Sequence, residues 1–435
     1  MHSSLRLVPF VSVPLAFAVT VAPALTAPAS AAPVQAPARA SAQAASVQAP
    51  AAPEECSEEP RDLPTWKFID YDEMRRELAR IERASRGRVQ VKTVGKSNRG
   101  RSIYTATVGT GPKTFLVNSE IHGNEKTGTT ALLRILTWLG TSDSREARRL
   151  RSTITFVAIP KINPDGAELD RRGNDNAWSE VQQDFPQLAG RPPAWNYLNT
   201  SLQGDDYTRK PGFDLNRDFN PDLNYVPKPE DVPGESALPG WFLNPESQTL
   251  RNVYTGLRAR KGKVDVYVDL HHQGACVRED AQNRLLDVAV DYPPLPDRFF
   301  EPGQKYARYA DTYAKDFSKQ LAISAFKGMD GRGYIPARYP HAPTRDLPGQ
   351  ARCSLAMIGT GTVLFEVRGQ TQTMGHYRSE RFTRAVTAGL TSMLNDLSTG
   401  RVHGYDPDSF EQLPGTVEDA AATAYRHVHD GPDAE

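Results

Sequence analysis

Residues 114–125, with the sequence TFLVNSEIHGNE, decide how this chain folds. The apolar run at residues 114–117 predicts a buried strand. The polar residues around Gly123 predict a loop, and this loop carries His122 and Glu125. Residues 128–139 (GTTALLRILTWL) then place apolar side chains at helical spacing. The stretch therefore predicts a strand, a short loop and a helix, with an imidazole and a carboxylate at the junction.

His122 and Glu125 are candidates for a metal site. In open α/β sheets, ligands bind beyond the carboxyl ends of the strands, which is where this loop is expected. One histidine and one glutamate are also two of the three protein ligands that a catalytic zinc needs. A pair with this spacing is also common on solvated surfaces, so the interpretation depends on the rest of the chain.

Two further strands carry groups of the same kind. Residues 264–270 alternate as a strand and lead directly into His271 and His272. Residues 362–368 form an apolar strand that contains Glu366, and a buried carboxylate is costly unless it is paired or catalytic. Potential ligands at the ends of two strands favour a metal site over a surface pair.

The segments between these strands predict turns, a long loop and several helices. Residues 153–159 read as a buried strand that ends in the turn sequence PKINPDG. Residues 170–208 predict a long loop, and such loops usually shape a site. Arg209 and Arg217 bound a basic cluster that is either solvated or suited to bidentate recognition of a carboxylate. Helices are predicted from Tyr71 and over residues 246–257, 304–322 and 382–397.

The charge balance excludes some classes of partner. The chain has 435 residues, and its 52 lysines and arginines match its 52 aspartates and glutamates. Because the net charge is zero, the chain has no overall electrostatic attraction for polyanions. We therefore expect no binding to nucleic acid and no attraction to an anionic membrane surface. No segment after the N-terminal region is apolar enough to predict a membrane span.

The N-terminal residues predict export. His2 and Arg6 precede an apolar run over residues 7–25, which is followed by Ala-Ser-Ala at 29–31. This pattern is typical of a signal peptide cleaved after Ala31, and cleavage after Ala32 is disfavoured because Pro33 would flank the scissile bond. Three prolines interrupt the apolar run and disfavour the alternative of a membrane anchor. We therefore expect a secreted protein.

The rest of the chain divides into three parts. Residues 32–62 are rich in alanine and proline and predict a disordered linker. Residues 63–400 predict one catalytic domain, and residues 401–435 predict an acidic flexible tail. Three cysteines allow one disulfide and one thiol, and we expect Cys276 and Cys353 to pair because both lie close in sequence to candidate site residues.

The ordered set of motifs resembles the zinc metallocarboxypeptidases of the carboxypeptidase A/B type. The resemblance spans residues 71–397 and rests on the following motifs in the family's order: GKSNRGR, HxxE, NPDG, DLNRDF, DLH and LFEVR. It implies an α/β fold, with a single domain whose mixed, mostly parallel central sheet is flanked by helices on both faces. It also implies one zinc ion per chain.

The resemblance also implies roles for individual residues. Its zinc ligands match His122, Glu125 and His271, with His272 as the runner-up for the last position. The pair that holds a substrate's terminal carboxylate matches Asn216 and Arg217, and the general base matches Glu366.

Three further roles have less direct matches. The arginine that polarises the scissile carbonyl is assigned to Arg209, with Arg171 or Arg172 as alternatives. The tyrosine that caps the substrate is assigned to Tyr339, with Tyr334 as the alternative. The floor of the specificity pocket falls near Arg352, which would suit acidic C-terminal residues.

These features predict a secreted, monomeric zinc carboxypeptidase that acts on the C-termini of peptides or proteins. A muropeptide peptidase or amidase of the same fold is the first alternative. Asn216 and Arg217 disfavour it, because they suit a free α-carboxylate. A non-catalytic binding module is the second alternative, and the intact set of ligands and base disfavours it.

Overall fold

The structure is a computed structural model that describes residues 56–57, 59, 61–340 and 345–418. The predicted signal peptide with its cleavage after Ala31, most of the predicted linker and the end of the predicted tail lie outside the described residues. Within the described ranges, no helix is both long and apolar enough to cross a lipid bilayer.

The described residues form ten α-helices and fourteen strands, joined by short 3-10 turns. The helices are α1 Tyr71–Ala84, α2 Thr127–Thr141, α3 Arg145–Thr153, α4 Pro164–Glu168, α5 Trp178–Asp184, α6 Pro245–Lys261, α7 Lys315–Asp330, α8 Ala351–Met357, α9 Thr371–Met374 and α10 Ser379–Thr399. The strands are β1 Val89–Lys96, β2 Ser102–Val108, β3 Lys113–Ser119, β4 Ile154–Ile159, β5 Tyr197–Leu198, β6 Ser201–Leu202, β7 Asp205–Asp206, β8 Gly212–Phe213, β9 Val266–Gln273, β10 Val277–Glu279, β11 Val288–Asp291, β12 Pro336–Arg338, β13 Gly361–Arg368 and β14 Thr416–Glu418.

Eight of these strands form one sheet in the order β1-β2-β4-β3-β9-β13-β11-β12. The central strands β4, β3, β9 and β13 are parallel, and β11 and β12 are parallel to each other. The pairs β1–β2, β2–β4 and β11–β13 are antiparallel. The predicted mixed, mostly parallel sheet is confirmed. Because β3, β9 and β13 point the same way, the residues that follow them meet at one edge.

Helices cover both faces of the sheet, because the central strands are buried on both sides. Every residue of β4, β9 and β13, and every residue of β3 after the first, is buried, as expected for parallel strands that are covered on both faces. One core contains residues of α1, α2, α7 and α10, and a second core, on the other face, contains residues of α6 and α8. The predicted helix from Tyr71 is confirmed as α1, which a capping box at Asp70 begins.

The structure corrects three predicted boundaries. The helix predicted over residues 304–322 is instead α7, Lys315–Asp330. Residues 401–417, predicted as part of a flexible tail, fold onto the domain: Phe410 is fully buried, and β14 pairs with β10. At the other end, Arg61 of the predicted linker donates through its backbone N–H to the carbonyl of Gln372 (2.7 Å).

The predicted Cys276–Cys353 disulfide is wrong. Cys276 is bonded to Cys56, 220 residues away in sequence, with a Cα–Cα distance of 5.2 Å. Cys353 is a free, buried thiol in α8. Proximity in sequence to candidate site residues did not indicate the pairing, because the strand order decides which loops lie close together.

Non-reducing peptide mapping tests this pairing. We expect one disulfide-linked peptide pair that contains Cys56 and Cys276. Iodoacetamide should label Cys353 only after unfolding, because burial raises the pKa of its thiol to about 11. A Cys276→Ser variant should lose about 2–5 kcal/mol of unfolding free energy, since the bond closes a long loop. A Cys276–Cys353 peptide would contradict the structure.

Candidate metal centre

Three buried side chains converge at the edge of the sheet where β3 and β9 end. His122 and Glu125 lie in the loop after β3, and His271 lies near the end of β9. The Nδ1 atom of His122 lies 3.0 Å from Glu125 Oε1, and the Nδ1 atom of His271 lies 2.8 Å from Glu125 Oε2. The two Nδ1 atoms are 3.2 Å apart. The set can therefore present two imidazole nitrogens and one carboxylate oxygen to a single ion.

A buried carboxylate orients each of the two imidazoles from its other side. His122 Nε2 lies 3.0 Å from Asp214 Oδ1, and His271 Nε2 lies 2.9 Å from Asp269 Oδ2. Asn118 donates through Nδ2 to the second oxygen of Asp269 (2.9 Å). Carboxylates in these positions favour the tautomer with hydrogen on Nε2, which leaves Nδ1 available as a ligand.

The donor set fits a divalent metal such as zinc. The three ligand atoms lie within 4.8 Å of one another, and all three residues are buried. Burial alone would raise the pKa of Glu125, but the neighbouring His122 and His271 outweigh this effect and hold the pKa below its usual range. Two histidines and one carboxylate form a known catalytic zinc set that leaves a position open for water or substrate.

His272, the runner-up ligand, points away from this group. Its Nε2 accepts a hydrogen bond from the backbone N–H of Thr127 (3.1 Å), and its Nδ1 lies 2.7 Å from the carbonyl oxygen of Gly369. Burial lowers its pKa to about 4, so the ring is neutral at neutral pH. Successive side chains on a strand face opposite sides of the sheet, which separates the two histidines.

Two arginines lie beside the candidate ligands and share Asp214. Arg172 donates to Asp214 Oδ2 through Nη2 (2.8 Å) and Nε (3.1 Å), and its Nη1 is 3.9 Å from Glu125 Oε1. Arg217 Nη1 donates to the carbonyl of Asn216 (2.9 Å) and lies 3.9 Å from Asp214 Oδ2. Asn216 donates to Asp269 Oδ2 (3.3 Å) and lies 3.1 Å from His271 Nε2. Asn216 and Arg217 therefore lie beside the candidate ligands.

Arg209 is not brought to this centre. It is exposed in the loop after β7, where hydrogen bonds from Thr208, together with the charge of Arg209, lower the pKa of the exposed Asp206 carboxylate. Arg171 is used elsewhere: it donates to the carbonyls of Lys210, Asn174 and Pro211. Of the three arginines considered from the sequence, Arg172 is the one that contacts the group, and the structure gives no support to the choice of Arg209.

The two tyrosines considered from the sequence also lie elsewhere. Tyr339 follows β12, donates through its backbone N–H to the carbonyl of Val290 (2.9 Å) and packs beside Ala337. Tyr334 packs against the core, under the guanidinium of Arg381 (5.4 Å). Within the described residues, neither tyrosine contacts the candidate ligands. The assignment of Tyr339 gains no support from the structure.

Arg352 lies at the start of α8, with its charge already paired. It is fully buried, and Nη1 donates to Asp291 Oδ2 (2.9 Å) and to the carbonyl of Tyr292 (3.0 Å). Its Nε donates to Gln350 Oε1 (2.9 Å). Because Asp291 neutralises the guanidinium, the basis for an expected preference for acidic C-terminal residues is removed.

Glu366 lies beside the candidate ligands in the neighbouring strand. In the β9–β13 ladder it pairs with His271, and parallel strands lie about 4.8 Å apart. Its Oε2 atom is buried and has no hydrogen-bond partner among the described residues. Burial, together with the charge of Glu125, raises its pKa from 4.5 to about 8, although His271 opposes the shift. A carboxylate with these properties is a candidate acid or base.

Sequence reasoning missed the supporting carboxylates. Asp214 and Asp269 each lie two residues before a predicted site residue, in the sequences DLN and DLH. In an extended strand, residues two apart face the same side, so Asp269 could have been assigned to His271. Asp214 acts from a separate loop, and no local spacing relates it to His122.

Comparisons with known proteins agree with this geometry. A family model described as zinc carboxypeptidase matches residues 74–326. Carboxypeptidase A from Helicoverpa armigera has a similar structure, with a TM-score of 0.51 and 16% identity over 77% of this chain and 74% of that chain. Thrombin activatable fibrinolysis inhibitor gives 0.50 and 13% identity over 78% of each chain. At these identities the structural likeness shows a shared fold. The family match ends before Glu366.

The raised pKa of Glu366 predicts a pH-dependent stability in the metal-free protein. Between pH 4.5 and about 8 the folded chain holds a proton that the unfolded chain releases, so unfolding free energy should fall as pH rises through this window. Glu366→Gln removes the titrating group, and its stability relative to wild type should therefore increase with pH. Urea unfolding of both metal-free proteins across this range measures the difference. A difference that stays constant with pH would contradict the prediction.

Proposed function

Because this chain belongs to the zinc carboxypeptidase family, we propose that it hydrolyses the C-terminal peptide bond of peptides and proteins, with one zinc ion per chain. The observation that carries the proposal is the convergence of His122, Glu125 and His271 beside Arg217 and an unbonded oxygen of Glu366. The ligands, the carboxylate-binding arginine and the base that such a reaction needs are adjacent.

The chain's own residues account for the steps of proton transfer and charge stabilisation. When bound at these residues, zinc supplies the Lewis acidity that activates water and a peptide carbonyl. In its ionised form, which the positive charge of a bound zinc would favour, Glu366 accepts a proton from the attacking water through its unbonded Oε2 and delivers it to the leaving amine. Arg172, held by Asp214, stabilises the negative charge that develops on the carbonyl oxygen.

Arg217 is the proposed binding group for the terminal carboxylate. Its side chain is 17% exposed, so a ligand can reach it. Burial lowers its pKa, Asp214 opposes this, and the nearby charges of Arg172 and Arg345 lower it further. Arg217 is therefore a partly desolvated guanidinium with two further arginines nearby, and such a group favours an anionic ligand. Fixing that group restricts cleavage to the last residue.

We further propose that the protein is secreted and acts as a monomer. The pattern that ends in Ala-Ser-Ala at residues 29–31 supports a signal peptide. The Cys56–Cys276 bond supports an oxidising destination, because disulfides persist in exported proteins.

A matched pair of peptides tests the substrate class. One peptide carries a free C-terminal carboxylate and the other a C-terminal amide. We expect wild type to cleave only the acid, and Arg217→Gln to lower kcat/KM for the acid by roughly 10²-fold, because a buried charge pair is lost. Equal cleavage of acid and amide would contradict the role of Arg217. Activity confined to muropeptides would favour the cell-wall alternative.

Two arginine variants test which guanidinium stabilises the carbonyl oxygen. On zinc-saturated enzyme, Arg172→Ala should lower kcat by about 10²–10³-fold, the usual cost of removing one donor to an oxyanion. Arg209→Ala should leave kcat unchanged, since Arg209 is exposed and, among the described residues, does not contact the candidate ligands. Steady-state kinetics on a peptide acid measures both. A loss of kcat in Arg209→Ala with none in Arg172→Ala would reverse the assignment.

A further inference from the structure

A buried ion pair between Glu120 and Lys161 adjoins the loop that carries two of the proposed ligands. Lys161, which follows β4, donates through Nζ to both oxygens of Glu120, at 2.8 and 2.7 Å. The Thr129 hydroxyl also donates to this carboxylate. Both charged side chains are almost completely buried, with 1% of Lys161 and none of Glu120 exposed. Glu120 lies two residues before His122, and neither member of the pair has a part in the proposed mechanism.

The backbone at Glu120 adopts a conformation that needs support. Its φ is +56°, in the left-handed region that non-glycine residues rarely occupy. This turn ends β3 and redirects the chain into the loop with His122 and Glu125. Such a conformation persists only where surrounding contacts hold it, and these conformations cluster at functional sites.

The segment with Lys161 also binds the loop through its backbone. Ile162 N–H donates to the carbonyl of Ser119 (3.1 Å), and Asn163 N–H donates to the carbonyl of Glu120 (3.1 Å). Asn163 Nδ2 donates to the carbonyl of Ile121 (3.2 Å). Residues 119–121 are thus fixed on both sides of the left-handed turn, and the ion pair fixes the turn itself.

A contribution to stability alone does not account well for this pair. Removing two charges from water is costly, and apolar residues of similar size often replace a buried ion pair with no loss of stability. Unlike apolar residues, the ion pair makes a directional contact with defined geometry. That contact joins the turn at Glu120 to the segment after β4.

We propose that Glu120 and Lys161 are positioning residues that set the metal affinity of the centre by holding the ligand loop in its binding conformation. The inference rests on the proposed function, because it takes His122 and Glu125 as ligands. Mutation of a group that supports a metal ligand from the outer shell typically changes metal affinity about 10–100-fold. We expect an effect of that size through the loop.

The double variant Glu120→Gln/Lys161→Met separates positioning from stability. It removes both charges together, so no unpaired charge is left buried. Zinc affinity is measured by competition with a chromophoric chelator, and stability by urea unfolding of the metal-free protein. We expect stability close to that of wild type and a zinc Kd raised about 10–100-fold. Thr129→Val removes the hydroxyl's contacts with Glu120 and with the carbonyl of Pro160 but leaves the ion pair in place. It should raise the Kd by a smaller factor and serves if the double variant does not fold.

Asp396→Asn is the matched control. Asp396 is a buried carboxylate that accepts hydrogen bonds from Ser324 (2.7 Å) and Tyr405 (2.7 Å). It lies near the opposite end of the sheet, where Lys113 at the start of β3 contacts the carbonyl of Leu397. This variant should lose stability and keep its zinc Kd.

Three outcomes would overturn the proposal. In the first, the double variant and Thr129→Val both bind zinc as tightly as wild type. In the second, Asp396→Asn loses affinity in proportion to its loss of stability, so that affinity follows stability alone. In the third, wild type itself does not bind zinc, and the proposed function then fails as well. Tight binding by wild type separates the failure of this inference from the failure of the proposed function.

Discussion

The parallel pairing of β9 with both β3 and β13 is the constraint on which the candidate site depends. Ser119 pairs with Leu270 on one side of β9, and Glu366 pairs with His271 on the other. This register brings the loop after β3, the histidine of β9 and the carboxylate of β13 to the same edge. A shift of one residue would turn each side chain to the other face of the sheet. The apolar strands that fill both cores therefore also fix the positions of the polar groups.

Asp214 joins the parts of the centre that have different roles. It accepts from Arg172, lies within hydrogen-bond distance of His122 and lies near Arg217. One buried carboxylate thus connects a proposed ligand, the proposed oxyanion group and the proposed carboxylate-binding group. Arg172, Arg217 and His122 together hold the pKa of Asp214 far below its usual range, against the effect of burial. Asp214 is therefore charged at neutral pH.

The sequence predicts those features that are local. The strand–loop–helix order around His122 and Glu125 follows from apolar spacing, and an acidic residue inside an apolar strand identifies Glu366. The position of Arg172 could not be predicted in this way, because the loop between Arg172 and Asp214 has no periodic pattern and its path decides which arginine returns to the centre. The same holds for Cys56 and for the pairing of Arg352 with Asp291, which join segments far apart in sequence. Long-range contacts of this kind depend on the strand order.

Mass spectrometry of a mixed peptide library tests the central claim most directly. The purified protein is incubated with the library without treatment, after removal of metal by a chelator, and after zinc is restored. The proposed chemistry predicts the loss of single C-terminal residues, which stops on chelation and returns with zinc. The identity of the released residues would also give the specificity of the pocket. Internal cleavage, or no cleavage by a protein shown to hold zinc, would contradict the assignment of Arg217 and the carboxypeptidase activity.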